Sequence, residues 1–504
     1  MAIKYQVNMG EQGRPYPHYW EVSVGSCHAA TILRADVQEQ LRKARKDIGF
    51  QYLRFHGLLD DDMSVVIGGM VPGISPKQIS FFNIDRVFDF LLEIGMKPFV
   101  ELGFMPEALA GGDKTGFHYK NNITPPAKYE EWADLMTKLA AHLEERYGAR
   151  EVRTWFFEVW NEPNLTFFWY GSRNEYFKLY QVTAEALKGV DEKIKVGGPA
   201  TSNNMWIPEF KEFCEKNHVP YDFITTHHYP SDDPLSRAGM NGEDEIGHVF
   251  DPELVKTLTP EQIQENLEKM FNRENNNPRD VLYQLAKKVK EEAGDTPVYY
   301  TEWNVGHYDT SYAAAGVMAT LAYNEGLVEG YSYWCISDIF EEMGLHGLPF
   351  NNEFGLVNVY GTPKPVYRLF QALHMAGDRR LDVTGDTHRT AEVAAFADDD
   401  EVMVFAYNHD IEERDIKTEE MEITVCGSAK RIQRAVIDSA HTNPLAVWEA
   451  QGKPAYPTGS QLMEMRNASR LVWEDVEPTG DRQVFSVTAE PESVTIFRIE
   501  KGMC

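Results

Sequence analysis

Short apolar runs alternate with amphipathic stretches from about residue 20 to residue 340. The runs have the length and the aromatic and β-branched content of buried strands, and polar or glycine-containing segments bound them. Eight of them are predicted to be strands: WEVSVGSC (20–27), QYLRFHG (51–57), KPFVELGF (97–104), TWFFEVWN (154–161), IKVGGPA (194–200), YDFITTHHY (221–229), PVYYTEWN (297–304) and GYSYWCIS (330–337).

Between these runs, apolar residues recur at the spacing of one helix face. The clearest pattern consists of Trp132, Leu135, Met136, Leu139 and Leu143. This helix is predicted to end at Gly148, and another to begin at an N-cap at Asn83 and to end near Gly95. Strands separated by helices over this length predict a (β/α)8 TIM barrel. An open doubly wound sheet is the alternative, but no glycine-rich phosphate-binding sequence follows the first strand.

After about residue 376 the chain consists mainly of alternating strand patterns with polar turns, such as 393–408 and 483–489. These predict an accessory C-terminal β-sandwich. We therefore predict a barrel domain at 15–355 and a sandwich domain at 356–504. The opening AIKYQV also alternates like a strand, so residues 1–14 are predicted to join the sandwich.

The segment from Pro230 to Arg279 fits neither unit, because it is acidic, rich in asparagine and placed directly after the sixth predicted strand. A barrel would place it on the face that carries active sites. A lid, a contact surface and a mobile insertion are the three roles that such a loop commonly has.

Composition limits the function classes. The 504 residues carry a formal net charge of -29, spread along the chain, which disfavours nucleic acid, anionic membranes and polyanionic substrates as partners and favours a neutral substrate. No apolar run approaches the roughly 18 residues of a membrane span. No secretory signal is visible at the N-terminus, so a cytoplasmic location is expected.

Five cysteines lie far apart without CxxC pairing, which predicts free thiols rather than disulfides or a zinc site. His227 and His228 are the other residues that could suggest a metal. Adjacent residues of a strand face opposite ways, however, and no HExxH or cysteine cluster accompanies them. We predict no metal and no cofactor.

In a (β/α)8 enzyme the working side chains project from the carboxyl ends of the strands. The candidates at these ends are Arg54, His56, Asn161, Glu162, His227, Tyr229, Glu302 and Trp334. Arg54 with His56, and His227 with Tyr229, are spaced by two, so each pair points to one side of its strand. Each of these strands thus delivers two polar groups to one opening.

Two of these candidates are glutamates on opposite walls of the predicted opening. A single glutamate at a strand end is more often a surface or salt-bridged residue. Glu162 and Glu302 together, each among aromatic residues and with Asn161 beside the first, are typical of a glycosidase, in which one carboxyl group is the acid and the other the nucleophile or base. An apolar, desolvated wall would favour the protonated form of the acid.

Several motifs carry a family resemblance: GFQYLRFHGLLDDD, GFMPEALAGGDKTGFHYKNNITPP, EVRTWFFEVWNEPNL, FITTHHYP, TEWN, YSYWCISDIFEE and FGLVNVYGTPKPVYRLFQAL. In this order the chain resembles glycoside hydrolase family 39, the β-xylosidase and α-L-iduronidase family of the retaining (β/α)8 clan. The resemblance runs through nearly the whole chain. It implies a barrel followed by a sandwich, and it implies that Glu162 is the acid/base and Glu302 the nucleophile.

The resemblance also implies roles for the residues around the pair. His56 and His227 would line the sugar subsite, Trp334 would stack on the sugar, Phe117 would close one side, and Asn161 would donate to the 2-hydroxyl. Glu341 and Glu342 resemble an acidic pair that accepts hydrogen bonds from sugar hydroxyls. Tyr229 and Arg54 are suitable donors to keep Glu302 ionised.

The sequence thus predicts a retaining exo-glycosidase, in particular a β-xylosidase that releases xylose from the non-reducing ends of short xylo-oligosaccharides. An α-L-iduronidase or an arabinosidase is the alternative within the family, and a non-catalytic sugar-binding barrel is the alternative outside it. Relatives often self-associate, which leaves a homo-oligomer open. The chain departs from the family before FGL, where Asn351, Asn352 and Glu353 replace a usual Gly-Gly pair, and in its long 230–279 loop.

Overall fold

The computed structural model describes residues 2–68, 76–230, 259, 277–411 and 414–502. Eight parallel strands close a barrel in it, and each pairs with its neighbours in chain order. The strands are Ser23–His28, Tyr52–His56, Lys97–Leu102, Phe156–Val159, Lys195–Thr201, Phe223–His228, Val298–Trp303 and Gly330–Tyr333. All eight predicted strands and the (β/α)8 fold class are thereby confirmed. Most of the 230–279 loop lies outside the described residues.

Helices surround the barrel on the outside, and most of them bury one apolar face, whereas Ser311–Tyr323 is buried on all sides between the barrel and the accessory unit. They span Ala29–Ile32, Ala35–Ile48, Phe82–Glu93, Tyr129–Tyr147, Ala149–Val152, Arg173–Val190, Ile207–Asn217, Val281–Ala293, Ser311–Tyr323 and Pro365–Met375. The fourth of these ends at Gly148, as predicted. The predicted N-cap at Asn83 is wrong, because the helix already begins at Phe82 and the Asn83 side chain donates to the carbonyl of Met63.

The barrel interior is built in layers, since alternate residues of each strand point inward. The bottom layer is aromatic and contains Tyr52, Phe99, Phe156, Phe223 and Tyr299. Two residues further along the same strands lie Arg54, Glu101, Glu158, Thr225 and Thr301, all buried. The apolar layer therefore closes the barrel below a polar layer, on which the site at the carboxyl ends rests.

The accessory unit is a sandwich of two sheets. One sheet has the order Val383–Gly385, Ile3–Asn8, Glu419–Cys426 and Arg482–Ala489. The other has the order Arg14–Pro15, Arg379–Leu381, Ala391–Ala397, Glu401–Asn408, Ser493–Lys501, Ala429–Ile437 and Glu474–Val476. Their facing sides share an apolar core, in which the rings of Phe485 and Phe497 stack with centroids 4.0 Å apart.

The outer face of the seven-stranded sheet packs on the barrel, where the rings of Phe396 and Tyr16 lie 4.9 Å apart. The helix Pro365–Met375 also packs on the barrel, where the Tyr367 hydroxyl donates to Asp47 of the helix Ala35–Ile48 over 2.8 Å. The domain boundary near residue 355 stays a prediction. Two helices of the accessory part, Pro444–Ala450 and Gly459–Ala468, were not foreseen from the strand patterns.

The remaining described strands form two short hairpins on the barrel. They pair Val66–Ile67 with Gln78–Ile79, and Thr115–Gly116 with Asn121–Asn122. Among the described residues, no helix is long and apolar enough to cross a membrane.

Candidate active site

Glu162 lies in a sharp backbone turn that directly follows the fourth barrel strand. Trp160 and Glu162 both have positive φ, at 70° and 40°, which is uncommon for residues with a side chain and concentrates at functional sites. The Glu162 amide donates to the carbonyl of Ala200 over 2.8 Å, and the Trp160 indole donates to the carbonyl of Phe168 over 2.9 Å. These bonds hold the strained turn in place.

The two predicted carboxyl groups share one cavity. Oxygen atoms of Glu162 and Glu302 lie within 4.8 Å of each other and of a ring nitrogen of His227. The cavity has a volume of about 490 Å³ and is also lined by His56, Tyr229, Trp334 and Glu342. Its lining also has an aromatic wall, which includes Phe167, Phe168, Tyr308 and Tyr312.

Glu302 is held by two charge-stabilising donors. Nη1 of Arg54 contacts its Oε1 over 2.5 Å, and the Tyr229 hydroxyl donates to its Oε2 over 2.7 Å. Burial raises the pKa of Glu302 above its ordinary value, while Arg54 and Tyr229 offset part of this rise by stabilising the carboxylate. Both donors that the sequence proposed are therefore in contact with the predicted nucleophile.

Glu162 contacts a buried histidine rather than only apolar groups. Nδ1 of His227 lies 2.8 Å from its Oε1, and Nε2 of the same ring lies 3.1 Å from the Thr301 hydroxyl. Burial lowers the pKa of His227 well below its ordinary value, so this imidazole is neutral at neutral pH. The neighbouring His228 faces away and contacts the Tyr331 hydroxyl.

Two buried nitrogen atoms at the site have no hydrogen-bond partner among the described residues. They are Nδ2 of Asn161 and Nε2 of His56. The remaining polar atom of each side chain is engaged, since Asn161 Oδ1 accepts from Arg54 over 2.7 Å and His56 Nδ1 lies 2.7 Å from Glu101. Buried polar atoms are normally satisfied, so these two nitrogens are suited to bind hydroxyl groups of a ligand.

Trp334 forms one wall of the cavity, with its ring centroid 4.7 Å from that of His56. A glycine makes room for it. A Cβ added at Gly25, in the first barrel strand, would lie 2.2 Å from Cε3 of Trp334. Phe117 lies further out, where its ring centroid is 4.9 Å from that of Phe168.

Glu341 and Glu342 diverge, although they are adjacent in sequence. Oε1 of Glu342 lies 3.6 Å from Nε2 of His56, and this side chain lines the cavity. Burial, followed by the nearby charge of Glu302, raises the pKa of Glu342 to about 8. Glu341 instead lies near His28 and Arg34, at 3.7 and 3.6 Å. The structure thus brings Glu342 to the cavity, and Glu341 is outside its lining.

Three residues of the site were missed from the sequence. Glu101 and Glu158 both contact Arg54, at 2.9 and 2.6 Å, and Thr301 donates to Glu158 over 2.7 Å. Burial raises the pKa of Glu101 to about 8, so it is largely protonated near neutral pH. The sequence did contain a signal for their inward orientation. Each residue lies two positions after an inward aromatic residue of its strand, so its side chain also points into the barrel.

Two groups of described residues bring three potential metal ligands together. They are Glu162, His227 and Glu302 in the cavity, and His18, Glu21 and His374 elsewhere. In both groups the histidine nitrogens lie 2.7 to 2.9 Å from a carboxylate oxygen, which is hydrogen-bond geometry. Hydrogen bonds account for these contacts without a metal ion.

A (β/α)8 barrel with two carboxyl groups facing each other across an aromatic cavity has the architecture of a glycoside hydrolase. Comparison with protein families agrees with this class, since the model of "Glycosyl hydrolases family 39" matches residues 3–277 and 263–482. The chain belongs to glycosyl hydrolases family 39.

Two curated relatives cover nearly the full length of the chain. A β-xylosidase of Caldicellulosiruptor saccharolyticus is 43% identical over 99% of both chains. A β-xylosidase of Geobacillus stearothermophilus is 33% identical over 98% of this chain and 95% of that protein. Among solved structures, a monomeric β-xylosidase from Caulobacter crescentus CB15 superposes with a TM-score of 0.83 at 29% identity, covering 100% of both chains.

Proposed function

We propose that the protein is a retaining β-xylosidase that removes xylose from the non-reducing ends of short xylo-oligosaccharides. The observation that carries this proposal is the proximity of the Glu162 and Glu302 oxygens, within 4.8 Å. Retaining glycosidases have carboxyl groups about 5 to 5.5 Å apart, whereas inverting enzymes need about 6.5 to 9.5 Å to admit a water molecule.

In the first step Glu162 donates its proton to the glycosidic oxygen as the bond from the anomeric carbon breaks. Glu302 attacks that carbon from the opposite face and forms a glycosyl ester. In the second step Glu162, now a carboxylate, takes a proton from water while the water oxygen attacks the anomeric carbon. The ester bond breaks, Glu302 is again a carboxylate, and xylose leaves with its configuration retained.

The surrounding residues are assigned by the atoms they present. Asn161 Nδ2 is unpaired among the described residues and would donate to the sugar 2-hydroxyl, a contact that strengthens in the oxocarbenium-like transition state. Trp334 would stack on the apolar face of the sugar. His56 and Glu342 converge on one side of the cavity, where they would bind ring hydroxyls. His227 would contact the acid/base, and Phe117 would support the aromatic wall.

The substrate assignment is supported by the full-length relatives named β-xylosidase and by the acidic net charge of -29, which favours a neutral substrate. A role in xylan breakdown and a cytoplasmic location follow as expectations from the sequence. In sequence, the mammalian iduronidases match about a third of the chain, for example 30% identical over 31% of it for the human enzyme. An α-iduronide is nevertheless included in the substrate panel below.

The test is a panel of nitrophenyl glycosides (β-xyloside, α-arabinoside, β-glucoside and α-iduronide) with wild type, Glu302→Ala and Glu162→Ala. We expect wild type to prefer the β-xyloside, and Glu302→Ala to lose at least about 10⁴-fold in kcat. Proton NMR of the first-formed sugar should show the β-anomer. Glu145→Gln, at an exposed position of the helix Tyr129–Tyr147, is the control for effects that any substitution could have on expression and purification, and it should keep wild-type activity.

Distinct results would contradict distinct parts of the proposal. Full activity of Glu302→Ala would remove the nucleophile assignment, and a first-formed α-anomer would remove the retaining mechanism. Preference for the arabinoside or iduronide would change the substrate within the family. A fully inactive wild type would instead favour a non-catalytic sugar-binding barrel.

A further inference from the structure

We propose that Thr301 and Glu158 are positioning residues for the acid step, because they fix the tautomer of His227 so that the proton between His227 and Glu162 resides on Glu162. This inference rests on the proposed function of Glu162. It concerns a chain of four side chains, Glu158, Thr301, His227 and Glu162, which we call the relay.

The relay begins at a group that only accepts hydrogen bonds. Glu158 is fully buried and forms an ion pair with Arg54, whose Nε lies 2.6 Å from Oε2. The other oxygen, Oε1, receives the Thr301 hydroxyl over 2.7 Å. An ionised carboxylate has no hydrogen to give, so the single hydroxyl hydrogen of Thr301 must point to Glu158.

The direction of this bond determines the next one. With its hydrogen used, Thr301 Oγ1 can only accept from Nε2 of His227, which lies 3.1 Å away. The ring is neutral, since burial lowers its pKa well below the ordinary value, and a neutral imidazole carries one N–H. The hydrogen is therefore on Nε2, and Nδ1 is left with a lone pair.

That lone pair faces Oε1 of Glu162 at 2.8 Å. Two lone pairs at this distance repel, whereas a hydrogen on Glu162 makes a normal O–H···N hydrogen bond. The geometry therefore places the proton on Glu162, as an acid catalyst requires. Apolar walls alone would not specify which of the two partners holds it.

The opposite arrangement has a specific cost. If Nδ1 carried the hydrogen, Thr301 would have to turn its hydroxyl toward Nε2, and Oε1 of Glu158 would lose that donor in a fully buried position. The relay therefore favours protonated Glu162 before the first step. After Glu162 has lost its proton, the same lone pair disfavours the anion and so strengthens Glu162 as the base toward water.

Other titratable and charged groups also face the pair. Glu302 Oε2 lies 3.6 Å from Nδ1 of His227, and Tyr229, Arg54, His56 and His228 act on the two residues electrostatically. The substitution that tests the relay leaves all of these in place. Thr301→Val replaces the hydroxyl by a methyl group of similar size, and Thr301→Ser restores it.

The experiment measures kcat/KM for nitrophenyl β-xyloside against pH in wild type, Thr301→Val and Thr301→Ser. The basic limb reports the acid in the free enzyme. In Thr301→Val the imidazole is free to put its hydrogen on Nδ1 and stabilise the Glu162 carboxylate, so the basic limb should move to lower pH by about one unit. Thr301→Ser should return the limb to its wild-type position. An unchanged limb in folded Thr301→Val would overturn the proposal.

Neutron diffraction from deuterated wild-type crystals gives a second test that needs neither substrate nor variant. Deuterium on Glu162 Oε1 and on His227 Nε2 is the expected result. Deuterium on His227 Nδ1 would overturn the relay, whatever the enzyme hydrolyses. This map also decides the matter if Thr301→Val does not fold, while failure of the proposed substrate would appear only in the glycoside panel.

Discussion

Nη1 of Arg54 lies 2.5 Å from Oε1 of Glu302, so a fully buried guanidinium pairs directly with the proposed nucleophile. The same side chain also contacts Glu101, Glu158 and Asn161. One cation thus serves three carboxyl groups, and burial raises the pKa of Glu101, which favours its protonated form and reduces the excess negative charge.

Arg54→Lys should be far from conservative. An ammonium is a point charge and cannot reach four partners in the fork geometry of the guanidinium. We expect kcat/KM to fall by about 10²-fold or more and the melting temperature to decrease, because carboxylates are left buried without a partner. Steady-state kinetics and thermal unfolding measure both. The exposed Arg150→Lys is the control, and similar losses in that variant would refute the specific role of Arg54.

Tyr229→Phe tests the second donor to Glu302. The Tyr229 hydroxyl stabilises the ionised nucleophile, so its removal should raise the pKa of Glu302 further. Because the reaction needs the carboxylate, the acidic limb of the kcat/KM profile should move to higher pH, by about one unit. Tyr456→Phe, at an 85% exposed site, should keep the wild-type profile. A limb that moves to lower pH would contradict the assignment.

Gly25→Ala tests whether the position of Trp334 depends on the space at the first strand. The new Cβ would overlap the indole at 2.2 Å, so either the ring or the strand must shift. We expect KM for the β-xyloside to rise about tenfold or more, with a lower melting temperature. Gly189→Ala is the matched control, because nothing lies within 4 Å of its Cβ and alanine favours the helix. Wild-type KM in Gly25→Ala would argue against a stacking role.

Asn161→Ala should cost activity only where a 2-hydroxyl is present. Removing one transition-state donor typically lowers kcat by about 10²- to 10³-fold. With a 2-deoxy-β-xyloside, which wild type should itself cleave slowly, the same substitution should have a much smaller effect. The rates of wild type and Asn161→Ala on the two substrates together give the coupling energy between the Asn161 side chain and the 2-hydroxyl. Equal losses on both substrates would mean that Asn161 acts through Arg54 rather than on the sugar.

Glu342→Gln should change how stability depends on pH. The pKa of Glu342 is raised to about 8 in the folded protein, so between its ordinary value and pH 8 the folded state holds a proton that the unfolded state has released. Stability therefore falls as pH rises through this window. Glutamine does not ionise, so the decrease in melting temperature from pH 5 to 8.5 should be smaller by a few degrees. Glu145→Gln should leave the wild-type slope.

Sequence alone predicted the barrel because eight apolar runs that alternate with helical patterns leave few alternatives, and Glu162 and Glu302 were proposed from their places at strand ends. The roles of interior residues were harder to see. The alternation in FFEVW marks Glu158 as an inward residue, but only the structure shows that Arg54 and Thr301 converge on it. The divergence of Glu341 and Glu342 likewise depends on a loop conformation. Asn83 was misassigned because its partner, Met63, is distant in sequence.

The strand Ile3–Asn8 lies between Val383–Gly385 and Glu419–Cys426 in the accessory sheet. In topological terms the whole barrel is an insertion into the sandwich, because Ile3–Asn8 and the short strand Arg14–Pro15 precede the barrel and the other strands of the sandwich follow it. This strand is synthesised before the barrel, but its two partner strands follow about 380 and about 420 residues later, so its pairing has a high contact order. The sandwich therefore joins the two sides of the barrel sequence, and its completion is expected to be a late step of folding.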